Sequence, residues 1–394
     1  MLSEAMRSER LDASIFLATS AAALRALLQS GNYSEGMRLP MPGSSHGAGE
    51  LAVWLSFLRG GISCWDRSRF HERYRSRLTK AKGPAPALLY DLFWLHKAVP
   101  ESALLRIAHP EVLQELANSG LLRVDDDHVC ATAGCFSFLG QTFLFDFDRG
   151  RPDFVFFGTD SFIMPRFIGG LFPEKRFKRS LDLCTGSGVQ GLFLSRQSDE
   201  ALCVDINLRA VSFARANALL NNITNVRAVQ SNLFANLEGS FDCITANTPY
   251  RPMPEKSGVC DLPLRGGDLG IEFTLRLIRE LPQYLTDDGI AIIYTSDPVV
   301  DTRPVLLPEV RQVLEHQPFR IDEYLLFRSY TDEPDLHKHF RRHNISGYDD
   351  CLLVLRKGKS LEVARNVWRP SYYWRTYLRS LAMRRRMMRA GVSA

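Results

Sequence analysis

The sequence predicts an α/β protein: a doubly wound, mostly parallel sheet in the second half of the chain, preceded by a smaller helical region. Three observations carry this. Between residues 180 and 357 short apolar runs alternate with amphipathic stretches, the pattern of a parallel sheet with helices on both faces. The first run ends in Asp182-Leu-Cys-Thr-Gly186-Ser-Gly188, a glycine-rich turn from strand to helix. The second ends in Val204-Asp205, which sets a carboxylate about 20 residues downstream at the tip of the neighbouring strand.

The strands are predicted at 180–183, 201–204, 226–230, 241–246, 290–295 and 351–356, with helices between them, including 208–221 and 271–284. A chain of 394 residues exceeds one compact core. We divide it into an N-terminal helical extension (1–86), a winged-helix-like unit (87–150), the sheet domain (151–358) and a basic aromatic helix (359–394).

In the extension, 11–28 shows helical spacing, 31–49 is rich in Gly, Pro and Ser, and 67–82 reads as a basic helix ending in the linker Lys82-Gly-Pro-Ala-Pro86. From 87 onward the order is a helix (88–96), the short turn 99–102 whose Ser102 can cap a second helix, a third helix (110–119) and a hairpin (121–124 with 128–131) around Asp125-Asp126-Asp127. That order looks like a winged helix. Its third helix carries Glu111 and Glu115 and no cation, which favours packing, pairing into a homodimer or covering a substrate over reading DNA.

Composition narrows the classes further. Hydrophobic content of 45% and charged content of 24% are those of a globular protein. A net charge of +5 permits an anionic partner without requiring one. No apolar run approaches the roughly 20 residues that span a bilayer, and the first residues lack the apolar core of a secretion signal. The eight cysteines have no metal-binding spacing, and Cys184, Cys203 and Cys243 fall in or at buried strands, so a reduced cytoplasmic setting is expected. His337, His339 and His343 cluster beside Arg341 and Arg342 and read as solvated, so no metal is expected. The eight arginines of 365–389 interleave with Trp368, Tyr372, Tyr373, Trp374 and Tyr377, which suits RNA or an aromatic face docked on the protein.

The motifs carry the chemistry. The glycine turn lets the backbone approach a ligand, and the following helix presents free N–H groups to it. Asp205 can accept from both hydroxyls of a ribose, and it also suits capping of the helix that begins at Leu208. Val189 and Gln190 precede Gly191 where a dinucleotide fingerprint would continue, so a single nucleoside without pyrophosphate is favoured over NAD. The fourth strand ends in Asn247-Thr-Pro-Tyr250. There a buried Asn oxygen and the following backbone carbonyl can accept both hydrogens of a planar NH2 group and aim its lone pair at an electrophile. Tyr250 adds a flat face for stacking on an acceptor or meeting a cation.

Residues 182–296 resemble class I methyltransferases, most closely the release-factor glutamine methyltransferase and small-domain family. The matching stretches are DLCTGSG, VDINLRAVSFARANALLNN, SNLF, FDCITANTPY, RGGDLGIEFTLRLI and YLTDDGIAIIYTS. The resemblance implies a seven-stranded Rossmann-like methyltransferase sheet and S-adenosyl-L-methionine as cofactor. It implies that Asp182, Thr185, Gly186 and Gly188 line the methionine end, that Asp205 and Ile206 hold the ribose, and that Asn232 and Leu233 flank adenine, with Asn247 touching both cofactor and acceptor. Asn247 and Tyr250 then carry catalysis, and Thr248, Pro249 and Tyr250 meet the acceptor. Phe162 and Arg166 belong to FIMPR, which resembles the family's segment running over the cofactor. Asn232 stands where the family usually has Asp, and Thr248 where it usually has proline, which leaves the Thr248 carbonyl less fixed.

The expected function is methyl transfer to a nitrogen of an amide, amino group or heterocycle, on a small molecule or a protein side chain. The unfamiliar N-terminal half and the basic aromatic C-terminus each keep one alternative open. One is a biosynthetic enzyme for a small metabolite, including alkyl transfer or cyclisation of the cofactor's aminobutyrate arm. The other is an RNA-binding or RNA-modifying protein.

Overall fold

The computed structural model describes residues 11–33, 75–76, 78–80, 82–147, 151–158, 160–171, 175–255, 262–330 and 334–358. The basic aromatic stretch 359–394, most of the basic helix 67–82 and most of the loop 31–49 lie outside the described residues. Among the described residues no helix is long and apolar enough to cross a membrane.

The N-terminal half opens with a short 3-10 turn (Ala13–Ile15) and helix α1 (Ala18–Ser30). Then come α2 (Pro84–Phe93), β1 (Val99–Pro100), α3 (Glu101–Leu104), α4 (Pro110–Asn118), β2 (Leu122–Asp125) and β3 (His128–Ala131). The three strands form an antiparallel sheet in the order β1-β3-β2. A second hairpin, β4 (Gly134–Phe138) with β5 (Gln141–Phe145), leads towards α5 (Asp160–Leu171). The Gly-Pro-Ala-Pro stretch expected as a linker is instead the start of α2. Pro84 sits in the first turn, where its missing N–H costs nothing, and Pro86 is buried.

The large sheet has the order β14-β15-β12-β9-β6-β7-β8. Its strands are β6 (Phe177–Leu183), β7 (Ser198–Asp205), β8 (Val226–Gln230), β9 (Phe241–Asn247), β12 (Leu285–Val300), β14 (Phe319–Tyr330) and β15 (Ile345–Lys357). The five strands from β12 to β8 pair in parallel, and β15 runs antiparallel to both its neighbours. The doubly wound, mostly parallel sheet is therefore as the alternation predicted. Short β10 (Arg251–Pro252) and β11 (Arg265–Gly267) pair beside it, and β13 (Arg303–Pro304) pairs with β12. The strand missing from the prediction is β14, whose register shifts between Ile321 and Glu323. That irregularity breaks the period of two by which a strand is read from sequence.

Helices cover both faces because the strand side chains alternate. Ala291 and Ile293 of β12 pack with α8 (Glu272–Glu280) and α9 (Leu306–Leu314), while Ile290 and Ile292 pack with Ile163, Met164 and Phe167 of α5. Helix α6 (Val189–Leu194) and α7 (Leu208–Leu220) cover β7 and β8 on the α5 side. Helix α10 (His337–Arg342) lies at the far end of β15.

Helix α7 joins the two halves. Its Val211 and Ala214 face the sheet, while Ala210, Phe213, Ala216 and Leu220 join the N-terminal core with Leu24, Leu27 and Leu28 of α1. Arg25 donates to the carbonyls of Leu219 and Leu220 at 2.9 and 3.2 Å, where the last turn of α7 has no intrahelical donors. Arg209 donates to Asp146 at 3.0 Å and to the carbonyl of Leu11 at 2.6 Å. Two asparagines one turn apart act as a substitute strand for β5. Asn217 accepts from Leu144 N–H (2.7 Å) and donates to its carbonyl (3.0 Å); Asn221 does the same for Thr142 at 2.8 and 2.6 Å. Asn217, fully buried, also donates to the carbonyl of Ser187 in the glycine turn at 2.8 Å.

Replacing Asn217 by Ala strands three buried backbone groups, each costing about 1–3 kcal/mol unless water reaches it. Chemical denaturation of Asn217→Ala is expected to show a loss of about 3 kcal/mol; a variant as stable as the wild type would refute the strand-mimic role.

Candidate active site

The carboxyl ends of β6, β7 and β9 converge on a cavity of about 750 Å³. The tip of β6 is organised by Asp182, which is buried. Its Oδ2 accepts from Thr185 Oγ1 (2.5 Å) and Gly191 N–H (3.0 Å), and its Oδ1 from Thr245 Oγ1 on β9 (2.8 Å). Burial pushes this carboxyl up to about 7, although all three donors pull the other way. Asp182 does not line the cavity. It holds the floor of the turn through Thr185, Gly191 and Thr245.

Gly188 does not line the cavity either. It caps α6 in the left-handed region (φ 85°), and a Cβ there would come within 3.0 Å of Ala214 on α7. Its function is the close packing of turn on helix. Thr185 and Gly186 do line the cavity, as does Cys184, which lies past the end of β6 with φ 54° and is only half-buried.

At the tip of β7, Asp205 accepts from Gly186 N–H through Oδ2 (3.0 Å) and from Asn207 N–H through Oδ1 (2.9 Å). Asn207, not Asp205, caps α7, accepting from Arg209 N–H at 3.0 Å. Each carboxylate oxygen keeps a lone pair for a ligand hydroxyl on the cavity side. Burial raises the Asp205 carboxyl, opposed by its backbone donors. Beyond it, Ile206 is 47% exposed and Leu233, with φ 50°, is buried. These two apolar side chains and exposed Asn232 line the cavity's outer end.

The cover over the turn comes from Phe154, Val155 and Phe156, held by Asn207 Nδ2 on the carbonyl of Asp153 at 2.9 Å. Phe162 and Arg166 are placed on α5, but their side chains lie outside the described residues.

Asn247 ends β9. Its Nδ2 donates to Asp160 Oδ2 at 2.9 Å, and its buried Oδ1 has no partner. Asp160 is buried at the start of α5, accepts also from Ser161 N–H, and has its carboxyl raised by burial. Sequence reasoning missed this residue: 87 positions separate it from Asn247, and only the fold brings them together. Its bond fixes which end of the Asn247 amide is the acceptor.

Thr248 is held more firmly than expected. Its N–H and Oγ1 both contact the Tyr294 carbonyl (3.1 and 2.9 Å), and Oγ1 meets Thr274 Oγ1 at 3.2 Å. Three hydrogen-bonding contacts do the work of a proline ring, so the missing proline leaves the turn anchored. Tyr250 accepts from Ser296 Oγ through its carbonyl (2.7 Å). Gly270, at φ 86°, backs onto that carbonyl so closely that a Cβ would lie 2.5 Å away. Pro249, Tyr250, Arg251, Arg265, Phe273, Arg276 and Tyr348 line this acceptor end.

Residues 166–297 match the family model of the methyltransferase small domain. The chain is 36% identical over 123 residues to a putative protein N5-glutamine methyltransferase of Methanocaldococcus jannaschii, covering 30% of this chain and 62% of that one. It is 38% identical over 124 residues to the ribosomal protein uL3 glutamine methyltransferase of Francisella tularensis, covering 29% and 40%. To the release factor glutamine methyltransferase of Thermodesulfovibrio yellowstonii it is 35% identical over 126 residues, covering 29% and 45%. The chain thus spans between two fifths and 62% of the length of these relatives.

The buried carboxyl gives a pH test. Asp182 rises from an ordinary 3.8 to about 7, so the folded state binds its proton more tightly than the unfolded chain. Its stabilising contribution is complete below about pH 4 and is lost as pH rises through about 7. Urea melts should show wild type losing stability relative to Asp182→Asn across that window. A difference between the two that does not vary with pH would refute it.

Proposed function

We propose that this chain, whose residues 166–297 form a class I S-adenosylmethionine-dependent methyltransferase domain, methylates a nitrogen of a planar amide or amino group at the Asn247–Tyr250 corner. The observation that carries this reading is the buried, unpartnered Oδ1 of Asn247, with Nδ2 tied back to Asp160. A buried acceptor without a donor is costly in the absence of ligand, and an NH2 group on the acceptor satisfies it.

The residues present fit the cofactor. Asp205 would receive the ribose hydroxyls, Ile206 and Leu233 would flank adenine with Asn232 at its edge, and Thr185 and Gly186 would lie along the methionine arm, all six lining the one cavity. S-adenosylmethionine supplies a methyl group already activated by a sulfonium centre. The protein's task is then orientation. Asn247 Oδ1 and the Thr248 carbonyl accept the two hydrogens of the acceptor nitrogen and hold its lone pair in line. Bound there, the cofactor would supply the methyl group, and the acceptor nitrogen so held would give up one proton. Fixing two partners in that geometry is worth several kcal/mol of barrier.

The similarity to glutamine methyltransferases favours a protein side-chain amide as acceptor. A second reading rests on Arg251, Arg265 and Arg276 at the acceptor end, which suit a small metabolite carrying an anionic group. Methyl-labelled cofactor incubated with protein and a cell extract separates the two: label in the protein fraction supports the first, label in the small-molecule fraction the second. Methylthioadenosine in place of S-adenosylhomocysteine would overturn both in favour of aminobutyrate chemistry.

Three variants test the assigned roles. Asp205→Ala should weaken S-adenosylhomocysteine binding about 10–100-fold by calorimetry, the value of charged hydrogen bonds. Asn247→Ala should leave that affinity within about 3-fold while label transfer falls about 1,000-fold. Asp160→Asn, which lets the Asn247 amide turn over, should slow transfer about 10-fold or more with cofactor affinity unchanged. Loss of cofactor binding in Asn247→Ala would contradict its acceptor role.

A further inference from the structure

Of the three histidines read from sequence as solvated, His337 is exposed, His343 is half-buried and His339 is buried. His339 is buried, and its Nε2 lies 2.7 Å from the backbone carbonyl of Asp268, in the loop that follows β11. His343 follows one helical turn later, its ring 4.4 Å from that of His339. The ligand-capable atoms of Asp268, His339 and His343 all lie within 4.8 Å of one another.

From this geometry we propose that Asp268, His339 and His343 bind one divalent ion of the zinc class. Two imidazole nitrogens and a carboxylate are a borderline-soft donor set, and three protein ligands leave a fourth position for water. Neighbouring ligand atoms around tetrahedral zinc stand roughly 3.4 Å apart, given Zn–N bonds of about 2.0 Å. Small side-chain rotations close the present cluster to that spacing, and Asp268, 52% exposed in its side chain, has room to move. Its Oδ1 meets Arg265 at 3.3 Å, a cation that competes for one carboxylate oxygen and leaves the other for the ion.

The site has a structural consequence. Phe340 and Leu336 pack in one cluster with Met253 and Tyr348, against Tyr250, Leu264 and Leu269. An ion bridging α10 to Asp268 clasps the outer wall of the acceptor end and stiffens the loop that follows β11. The inference does not rest on methyl transfer, since the ion touches neither the glycine turn nor Asn247.

The test is zinc titration of the metal-free full chain by calorimetry. One ion per chain is expected, with affinity falling roughly tenfold or more in His343→Ala and in Asp268→Asn. His337→Ala, on the same helix and outside the cluster, should bind as the wild type does. Zinc should raise the melting temperature of wild type and His337→Ala only. Cobalt on the wild type gives an independent readout: d–d bands without sulfur-to-metal charge transfer mark a site of nitrogen and oxygen ligands. Absence of uptake, a thiolate spectrum, or equal affinity in folded His343→Ala would overturn the proposal.

Discussion

The site depends on one buried carboxyl. At the carboxyl end of a parallel sheet the backbone ladder stops, and strand tips must be held together by side chains. Asp182 does this for β6, the glycine turn, α6 and β9 at once, through Thr185, Gly191 and Thr245. Three donors from three elements cannot be satisfied by any apolar residue of that shape. The group is driven toward neutrality by burial and yet bonded on both oxygens. Such a node is costly if half satisfied and rigid when complete. Asp205 repeats the device one strand over, bridging Gly186 to the start of α7, but with its remaining lone pairs turned to the cavity. The two carboxylates are alike in chemistry and differ in access: Asp205 lines the cavity and Asp182 does not.

The acceptor corner obeys the same logic with opposite emphasis. Thr248 is satisfied by Tyr294 and Thr274, and the Tyr250 carbonyl by Ser296, so the turn has little freedom. Against that background Asn247 Oδ1 is buried and unbonded. A buried acceptor of this kind can take a donor from a ligand. Asp160 decides its polarity: a carboxyl on the Nδ2 side compels the oxygen to face the other way.

Much of this was legible in the sequence, because the informative residues sit at strand ends, where local pattern and chemistry coincide. The glycine turn, Asp205 and the Asn-Thr-Pro-Tyr corner each follow an apolar run directly. What sequence could not reveal required knowledge of neighbours in space. Asp160 reaches Asn247 across 87 positions, and Asp268 reaches the histidines across more than 70. Nor does the sequence show that Gly188 packs against Ala214 or that Asp182 ties the floor of the turn to α6 and β9. Strand β14 was hidden for a different reason: a register shift erased its periodicity. The Pro-rich start of α2 misled because proline is as much at home in a first helical turn as in a linker.

Helix α7 explains why the N-terminal half cannot be an indifferent appendage. A helix covering one edge of such a sheet needs one apolar face, yet α7 buries residues on both sides, Val211 and Ala214 against the sheet, Phe213 and Leu220 against α1 and its neighbours. Its alanines let both layers approach closely, and its asparagines continue the hydrogen bonding of β5 where no strand follows. The same helix meets Gly188 at its Ala214 and holds the Ser187 carbonyl through Asn217. Any force on the N-terminal unit is therefore transmitted to the glycine turn through packed side chains with few voids to absorb it. The two halves share a helix, and through it the cofactor turn inherits the rigidity of both cores.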